Sequence, residues 1–144
     1  MAKWNKDMFI KQAKLFCQPN VSNVIIDLVK FAENDADHIT WGRGDGHGTM
    51  TFRCKSDDFG DLSLFHITTS GQIKFQVNYL RSKITRPEIM NDFQLKLETN
   101  FLLDFDSERY PNDVFHSLDE LFTIKKEVDS FVIAIQGITA RLRQ

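Results

Sequence analysis

The chain has 144 residues, a formal net charge of −2, 42% hydrophobic residues and 26% charged residues. This composition is typical of one globular domain, so we expect a single domain over residues 1–144 with a sizeable core. The small negative charge provides no overall field that would attract nucleic acid or an anionic membrane. It therefore disfavours nucleic acid as a partner, although it does not exclude a local basic patch.

The longest apolar runs fall far short of the roughly 20 residues that a transmembrane helix needs, and the N-terminus has no apolar leader. We therefore expect a cytoplasmic protein without membrane association. Two cysteines, Cys17 and Cys54, are far apart and lack C-x-x-C spacing, which indicates two buried thiols in a reducing compartment. The thirteen phenylalanines, against two tryptophans and two tyrosines, are expected to fill the core.

Two helices are predicted at the N-terminus. Phe9, Ala13 and Phe16 recur at i, i+4 and i+7, which predicts an amphipathic helix over residues 4–17. Pro19 ends that helix, and Asn20 is the expected N-cap of a second one with a broad apolar stripe. Acidic residues then follow, and because acids oppose the dipole at a helix C-terminus, the second helix should end near residues 31–34.

An antiparallel meander of three or four strands is predicted next. Residues 49–55 and 73–79 alternate between apolar and polar side chains, as half-buried strands do. Residues 62–68 carry apolar side chains on both faces, with Leu62, Leu64 and His66 on one and Phe65 and Ile67 on the other. This favours a central strand. Residues 38–41 could add a first strand, and Ser70-Gly71 is a two-residue turn signal.

Two further helices are predicted at the C-terminus. Residues 85–88 fit a capping box with proline in the first turn, followed by an apolar stripe through Met90, Phe93, Leu97 and Phe101. A polar loop over residues 104–113 leads to a second capping box at 117–120 and a last helix with a broad apolar face. The fold class is therefore α+β, with both C-terminal helices packed on the sheet. The broad face of the last helix suggests a homo-oligomer formed through it, or a protein partner.

Glycine occupies every second position between the first and second predicted strands, at Gly42, Gly44, Gly46 and Gly48. If the chain were extended here, all four glycines would lie on the core face and form a trough for a helix or an aromatic ring. If it turned near the Asp45-Gly46 pair, the glycines would serve a hairpin tip with positive φ. We favour the hairpin.

The same stretch contains Arg43, Asp45 and His47, which would form a polar cluster on permissive backbone. With backbone N–H groups it could hold an anion such as phosphate or a carboxylate. Arg81 and Lys83 form a second small basic group that could touch phosphates. These five residues are the candidate ligand-binding set, against the alternative that both groups are merely solvated. The stretch matches neither a dinucleotide fingerprint nor a P-loop.

No catalytic residue, metal ligand or cofactor is predicted. The four histidines lack metal-binding spacing, and His66, which alternates with Leu62 and Leu64, is expected to be a satisfied core histidine. Neither cysteine is adjacent to a histidine, and no nucleophile elbow is present. These observations favour a non-catalytic, self-associating binding domain over an enzyme. The alternative is a nucleic-acid-processing or phosphate-binding domain that uses the glycine-rich stretch.

The segment from Trp41 to Tyr79, with its Trp-Gly pair, glycines, Ser-Gly turn and strands, resembles a small bacterial domain of unassigned function that opens on a W-G-x-G-x-x-G hairpin. The resemblance covers roughly a quarter of the chain. It implies a hairpin followed by a meander. The third glycine stands at Gly46 or Gly48 rather than at the spacing of that domain, so no functional residue is carried over.

Overall fold

The structure is a computed structural model that describes residues 4–43 and 46–144, with Arg43 described by its backbone alone. Helices and strands follow one another in this part of the chain in the order α1 (Lys6–Phe16), α2 (Pro19–Asp35), β1 (His38–Arg43), β2 (Gly48–Ser56), β3 (Gly60–Thr68), β4 (Gln72–Phe75), α3 (Val77–Lys83), α4 (Pro87–Phe101), β5 (Phe115–Ser117), α5 (Leu118–Leu121) and α6 (Lys125–Leu142). The α+β class is confirmed, with two helices before the first strand and the remaining helices after β4, the short strand β5 lying between α4 and α5.

The five strands form one antiparallel sheet in the order β1-β2-β3-β4-β5. The predicted meander is therefore confirmed, and it has one strand more than the three or four expected. The additional strand, β5, has only three residues and carries no pattern that would distinguish it from a loop. The predicted central strand, β3, lies in the middle of the sheet.

Helices cover one face of the sheet, called here the core face. Phe9 of α1 packs on Trp41 with ring centroids 5.3 Å apart, and Phe31 of α2 packs on Phe52 at 5.3 Å. Phe131 of α6 lies 5.0 Å from Phe65 on β3. All phenylalanines except Phe16, Phe59 and Phe115 are buried, which confirms their predicted role as core residues.

The opposite face, called here the outer face, is polar. It carries Thr40 on β1, Thr51 and Arg53 on β2, Ser63 and His66 on β3, Lys74 on β4 and Phe115 on β5, because these residues alternate or pair in register with one another. Thr51 and Ser63 at the centre of this face are nevertheless buried, at 6% and 4% exposed.

A β-bulge in β3 sets which residues reach each face. Phe52 pairs with Phe65 and Arg53 pairs with Ser63, which leaves Leu64 as an extra residue. An inserted residue shifts the alternation by one position. The predicted face assignment for residues 62–68 is therefore wrong: Leu62 shares the core face with Phe65 and Ile67, whereas His66 shares the outer face with Ser63.

The predicted strand over residues 73–79 is correct only as far as Phe75, after which the chain forms α3. The Asp113 carboxylate accepts the backbone N–H groups of Asn78 at 2.9 Å and Tyr79 at 3.0 Å. These acceptors satisfy the otherwise unpaired donors of the first helical turn. Val77 and Leu80 are buried on the inner side of the helix. Asp113, which is distant in the sequence, thus favours a helix over a strand after Phe75.

Three predicted helix ends also differ from the structure. The N-cap of α2 is Gln18 rather than Asn20, and α2 continues to Asp35 because Arg143 donates to the Asp35 carbonyl at 2.6 Å and to the Asp37 carboxylate at 3.2 Å. This cation offsets the acids at the helix end. The cap of α4 is Arg86, without the side-chain hydrogen bond that the capping box over residues 85–88 required.

The last predicted helix is in fact two, α5 and α6. The capping box over residues 117–120 is wrong, because Ser117 makes no side-chain cap and α5 ends after one turn. The start of α6 is instead fixed by Glu127, whose carboxylate accepts hydrogen bonds from Thr123 and Ile124.

The broad apolar face of α6 is buried within the chain. It contributes Val128, Phe131, Ile135, Ile138 and Leu142 to the core. Neighbouring helices flank α6 on both sides: Asn100 of α4 donates to the Ser130 carbonyl at 3.4 Å, and Gln136 donates to Asp35 of α2 at 2.9 Å. The surface that suggested oligomerisation through this helix is therefore used for intramolecular packing. Within the described residues, no helix is both long enough and apolar enough to cross a bilayer.

Candidate functional site

The glycine-rich stretch forms a hairpin, as favoured from the sequence. Strand β1 pairs with β2 in a register that ends with Arg43 opposite Gly48, so the chain reverses direction between them. Gly46 has a φ of +79°, a conformation that favours glycine. The extended alternative is wrong, because Gly42 pairs with Thr49 on the outer face whereas Gly48 lies on the core face.

Gly48 is nevertheless a close-approach glycine. A Cβ placed on it would lie 2.8 Å from the Trp4 ring, which is too close for any side chain without displacing that ring. The idea of a glycine trough that admits an aromatic ring therefore holds at this one position.

Of the predicted cluster in this hairpin, His47 is the member whose side chain is described. Asp45 and the side chain of Arg43 lie outside the described residues. His47 is half-buried and lines a cavity of about 360 Å³ with Phe16, Gly46, Thr69 and Ser70. The predicted convergence of Arg43, Asp45 and His47 therefore stays a prediction.

A second cavity of about 200 Å³ adjoins this one, and the two share Phe16 and Ser70. The second cavity extends past Cys17 and Gly71 to Asp119. We call the combined depression the end groove, defined by the residues of these two cavities. It forms where the β1-β2 and β3-β4 turns meet the last turn of α1, since alternate turns of a meander lie at the same end of the sheet.

A hydrogen-bonded clamp holds the base of the end groove. The Gln12 side-chain oxygen accepts the Thr69 hydroxyl at 2.5 Å and the Gly48 N–H at 3.0 Å. The Thr69 hydroxyl also accepts the Gly48 N–H at 2.9 Å, and the Thr69 N–H donates to the Gly48 carbonyl at 3.0 Å. Thr69 is fully buried. The helix and both turns are thereby held in one fixed arrangement, which is what a preformed binding surface requires.

Phe16 is the large exposed apolar residue of the end groove, at 65% exposed, and its neighbour on α1, Leu15, is 76% exposed. The Cys17 thiol donates to the Thr69 carbonyl at 3.3 Å, and burial raises the pKa of this thiol above its ordinary value. A thiol that stays protonated at neutral pH is a weak nucleophile.

The other two predicted ligand-binding residues lie elsewhere. Arg81 donates to Asn78 at 2.9 Å, to Gln94 and to the Phe105 carbonyl, so its guanidinium joins α3, α4 and the following loop. It lines a separate cavity of about 440 Å³ that shares no residue with the end groove. Lys83 is exposed, with its Nζ 5.9 Å from the Tyr79 ring centroid. Arg81 and Lys83 are thus not part of one site with His47.

Two histidines have defined partners. His66 lies within 2.6 Å of the Thr51 hydroxyl and 2.8 Å of the Gln76 amide nitrogen, which confirms that it is satisfied, although it lies on the outer face. His116 contacts the Tyr110 hydroxyl at 3.1 Å, and burial lowers the pKa of its imidazole. In the described part of the chain, no three His, Cys, Asp or Glu side chains are grouped to hold a metal ion.

Of the residues predicted from the sequence, His47 lines the end groove, and its role in binding stays a prediction; the other residues of the groove were not proposed. Phe16 was assigned to the buried stripe of the first helix, Ser70 was treated only as a turn residue, and Thr69 was given no role. The sequence did contain one indication of this groove. Alternate turns of an antiparallel meander lie at the same end of the sheet, so residues near 46 and near 70 are expected to lie close together. The position of the α1 terminus there depends on long-range packing that no local pattern reports.

Comparisons with protein-family models, with curated proteins and with solved structures found no match to this chain. The resemblance to the small bacterial domain is thus neither supported nor contradicted. Function must therefore be argued from the surfaces of this chain itself.

Proposed function

We propose that this protein is a non-catalytic interaction domain that self-associates through the end groove. The observation that carries the proposal is Phe16, which is 65% exposed and lines both adjoining cavities of the groove, together with its neighbour on α1, Leu15, which is 76% exposed. An apolar centre with a polar rim, here Ser70 and Asp119, is the usual composition of a protein interface.

This surface is a better candidate than the last helix. The large apolar residue that α6 leaves exposed is Ile133, at 62%. A single exposed apolar side chain is normal on a monomer and needs no partner. Two consecutive ones beside a groove are a stronger indication of binding, and aromatic residues such as Phe16 often contribute most to interface energy.

A second copy of the chain fits the geometry in a simple way. In a twofold dimer the same surface patch meets itself. Phe16 of one copy would then enter the groove of the other between His47 and Ser70. Because the Gln12–Thr69–Gly48 clamp already fixes that groove, little conformational entropy would be lost on binding.

The surroundings of Cys17 support a non-catalytic role. Its thiol is a hydrogen-bond donor to a backbone carbonyl, and its pKa is raised by burial. A catalytic cysteine instead needs an environment that lowers its pKa.

Sedimentation velocity over a range of protein concentrations tests the proposal. We expect the wild type to dimerise, and Leu15→Gln and Phe16→Gln each to weaken the dimer by about tenfold or more, since each removes a buried apolar contact. Leu95→Gln is the matched control, because Leu95 is a 64% exposed leucine in the middle of α4.

A wild type that stays monomeric at high concentration would remove self-association from the proposal. Equal weakening by Leu95→Gln and Leu15→Gln would instead show that the dimer forms through another surface.

A further inference from the structure

One edge of the sheet is formed by β1. In the described part of the chain β1 pairs only with β2, through six residues in a register without a bulge. An edge strand presents unpaired backbone N–H and C=O groups, which can pair with a further strand. The backbone groups that β1 turns away from β2 therefore define a possible binding surface.

The hydrogen bonds of β2 show which residues of that strand face β1. Gly48 donates its N–H to the Thr69 hydroxyl at 2.9 Å, and its carbonyl accepts the Thr69 N–H at 3.0 Å, so Gly48 faces β3. Because consecutive residues of a strand face opposite neighbours, the odd-numbered residues of β2 face β1. Arg53 agrees with this assignment, since its carbonyl accepts the Asp37 N–H at 3.0 Å.

The register then identifies the open backbone groups of β1. Its even-numbered residues lie opposite the odd-numbered residues of β2 and bond to them. The backbone groups of Ile39, Trp41 and Arg43 therefore point to the open side. Within residues 4–43 and 46–144, no hydrogen bond from another residue reaches the outward groups of Ile39 or Trp41. β1 also contains neither proline nor lysine, two residues that often protect natural sheet edges.

The side chains at this edge are incompletely covered. Ile39 and Trp41 pack against the core but remain half-buried, although Trp41 contacts the Phe9 ring at 5.3 Å. The helix above them, α1, is anchored one strand in from the edge, because Gln12 accepts the Gly48 N–H at 3.0 Å. A strand added beside β1 would bury the remaining apolar surface of Ile39 and Trp41.

We propose that β1 pairs antiparallel with β1 of a second copy, about a twofold axis at Trp41, so that the two sheets join into one. This pairing places Trp41 opposite Trp41 of the other copy and Ile39 opposite Arg43. Every outward residue then meets another outward residue, and the three pairs would exchange about six backbone hydrogen bonds. The two tryptophans would lie side by side on the core face, where cross-strand aromatic pairs stabilise a sheet.

The occupant is a second copy because this edge is complementary to itself. The outward residues are symmetric about Trp41, as a twofold contact between identical strands requires. An axis at Thr40 would instead place Arg43 opposite Asp37, whose N–H is already bonded to Arg53. On the outer face, pairing about Trp41 brings the Thr40 side chain opposite Gly42, which has none to obstruct it.

This pairing goes beyond self-association through the end groove, because no described side chain of β1 lines that groove. The Phe16→Gln variant separates the two contacts, since it removes the apolar anchor of the end groove and leaves β1 intact. A wild type that uses both surfaces would form assemblies larger than a dimer, whereas Phe16→Gln would form dimers through β1 alone.

Amide hydrogen exchange measured by NMR on Phe16→Gln tests the pairing residue by residue. Between about 0.05 and 1 mM protein, we expect exchange at the Ile39 and Trp41 amides to slow by about tenfold as the dimer forms. The amides of Thr40 and Gly42 are the internal control, because they are bonded to β2 in every copy. Their exchange should change by less than about threefold.

A lysine at Thr40 tests the same contact by charge. Thr40 is exposed, and in the proposed dimer the two Thr40 side chains are diagonal neighbours on the outer face, so Thr40→Lys would place like charges close together. In the Phe16→Gln background we expect it to weaken the dimer by about tenfold in sedimentation velocity. Thr99→Lys makes the same change at an exposed position on α4 and should leave the dimer unchanged to within about threefold.

Three outcomes would overturn the proposal. Rapid exchange at Ile39 and Trp41 up to about 1 mM would exclude a second copy and leave the edge to a strand of another protein. Slow exchange at these amides in a Phe16→Gln variant that sediments as a monomer would show that the edge is covered within one copy. Equal weakening by Thr40→Lys and Thr99→Lys would place the dimer contact elsewhere. In each case dimerisation of the wild type through the end groove is measured separately.

Discussion

Arg81 and Lys83 are two residues apart in the sequence, yet their side chains have different surroundings. The Arg81 guanidinium is half-buried and bonded to three acceptors, whereas Lys83 is exposed. We expect Arg81→Met to lower the free energy of unfolding by about 3 kcal/mol, because hydrogen bonds to a charged group are lost and the Gln94 and Phe105 acceptors are left unpaired. Lys83→Met should change it by less than about 0.5 kcal/mol. Urea denaturation of both variants measures the difference, and equal effects would contradict a structural role for Arg81.

Single residues were recognised from the sequence when their own neighbours defined their role. His47 was proposed because it lies in a glycine-rich stretch, and its role stays a prediction, whereas the phenylalanines were recognised as core by composition. Phe16 and Thr69 were not recognised as site residues, because their role depends on α1 and the β3-β4 turn meeting at one end of the sheet.

At the scale of elements, the start of α6 depends on Glu127. Hydrogen bonds, first from the Thr123 hydroxyl and then from the backbone N–H groups of Thr123 and Ile124, lower the pKa of this carboxyl below its ordinary value of 4.5. Because the folded pKa is lowered, the stabilisation is present above the unfolded pKa and is lost as the pH falls through the folded pKa. We expect Glu127→Gln to cost about 1 kcal/mol at neutral pH, and the difference from wild type to shrink below pH 4.5.

Chemical denaturation at a series of pH values measures this effect. Glu120→Gln, at an exposed position in α5, is the control and should change stability by less than about 0.5 kcal/mol. A Glu127→Gln penalty that stays constant down to low pH would show that the carboxylate charge does not stabilise the start of α6.

The elements that sequence patterns predicted correctly are those with long, one-sided periodicity. The helices α1, α2 and α4 and the strand β2 belong to this group. The strand predicted over residues 73–79 was wrong beyond Phe75: Val77 and Tyr79 alternate as in a strand, but Val77, Leu80 and Ile84 also recur at helical spacing. Asp113, more than 30 residues away, decides for helix through the bonds it accepts from Asn78 and Tyr79. The bulge at Leu64 likewise depends on a distant part of the chain, because only the pairing of β3 with β2 defines it.

At the scale of the whole molecule, the two cysteines report how cooperatively the chain unfolds. Cys54 is fully buried on the core face, and burial is the main reason that its pKa rises to about 11. Cys17 is half-buried at the end groove, with a pKa raised by burial. A thiol reagent attacks only the exposed thiolate. At neutral pH we therefore expect slow labelling of Cys17 in the native protein and labelling of Cys54 only on global unfolding.

The Cys17→Ser variant leaves Cys54 as the single thiol of the chain, and Cys54→Ala leaves Cys17. In Cys17→Ser, the urea dependence of the labelling rate should equal that of global unfolding measured by circular dichroism, because the residues around Cys54 on β2 and β3 belong to one continuous core. This outcome would support the prediction that residues 1–144 form a single domain. Labelling of Cys54 that is fast and independent of urea would instead mean that the sheet opens without the helices, and that the chain holds more than one cooperative unit.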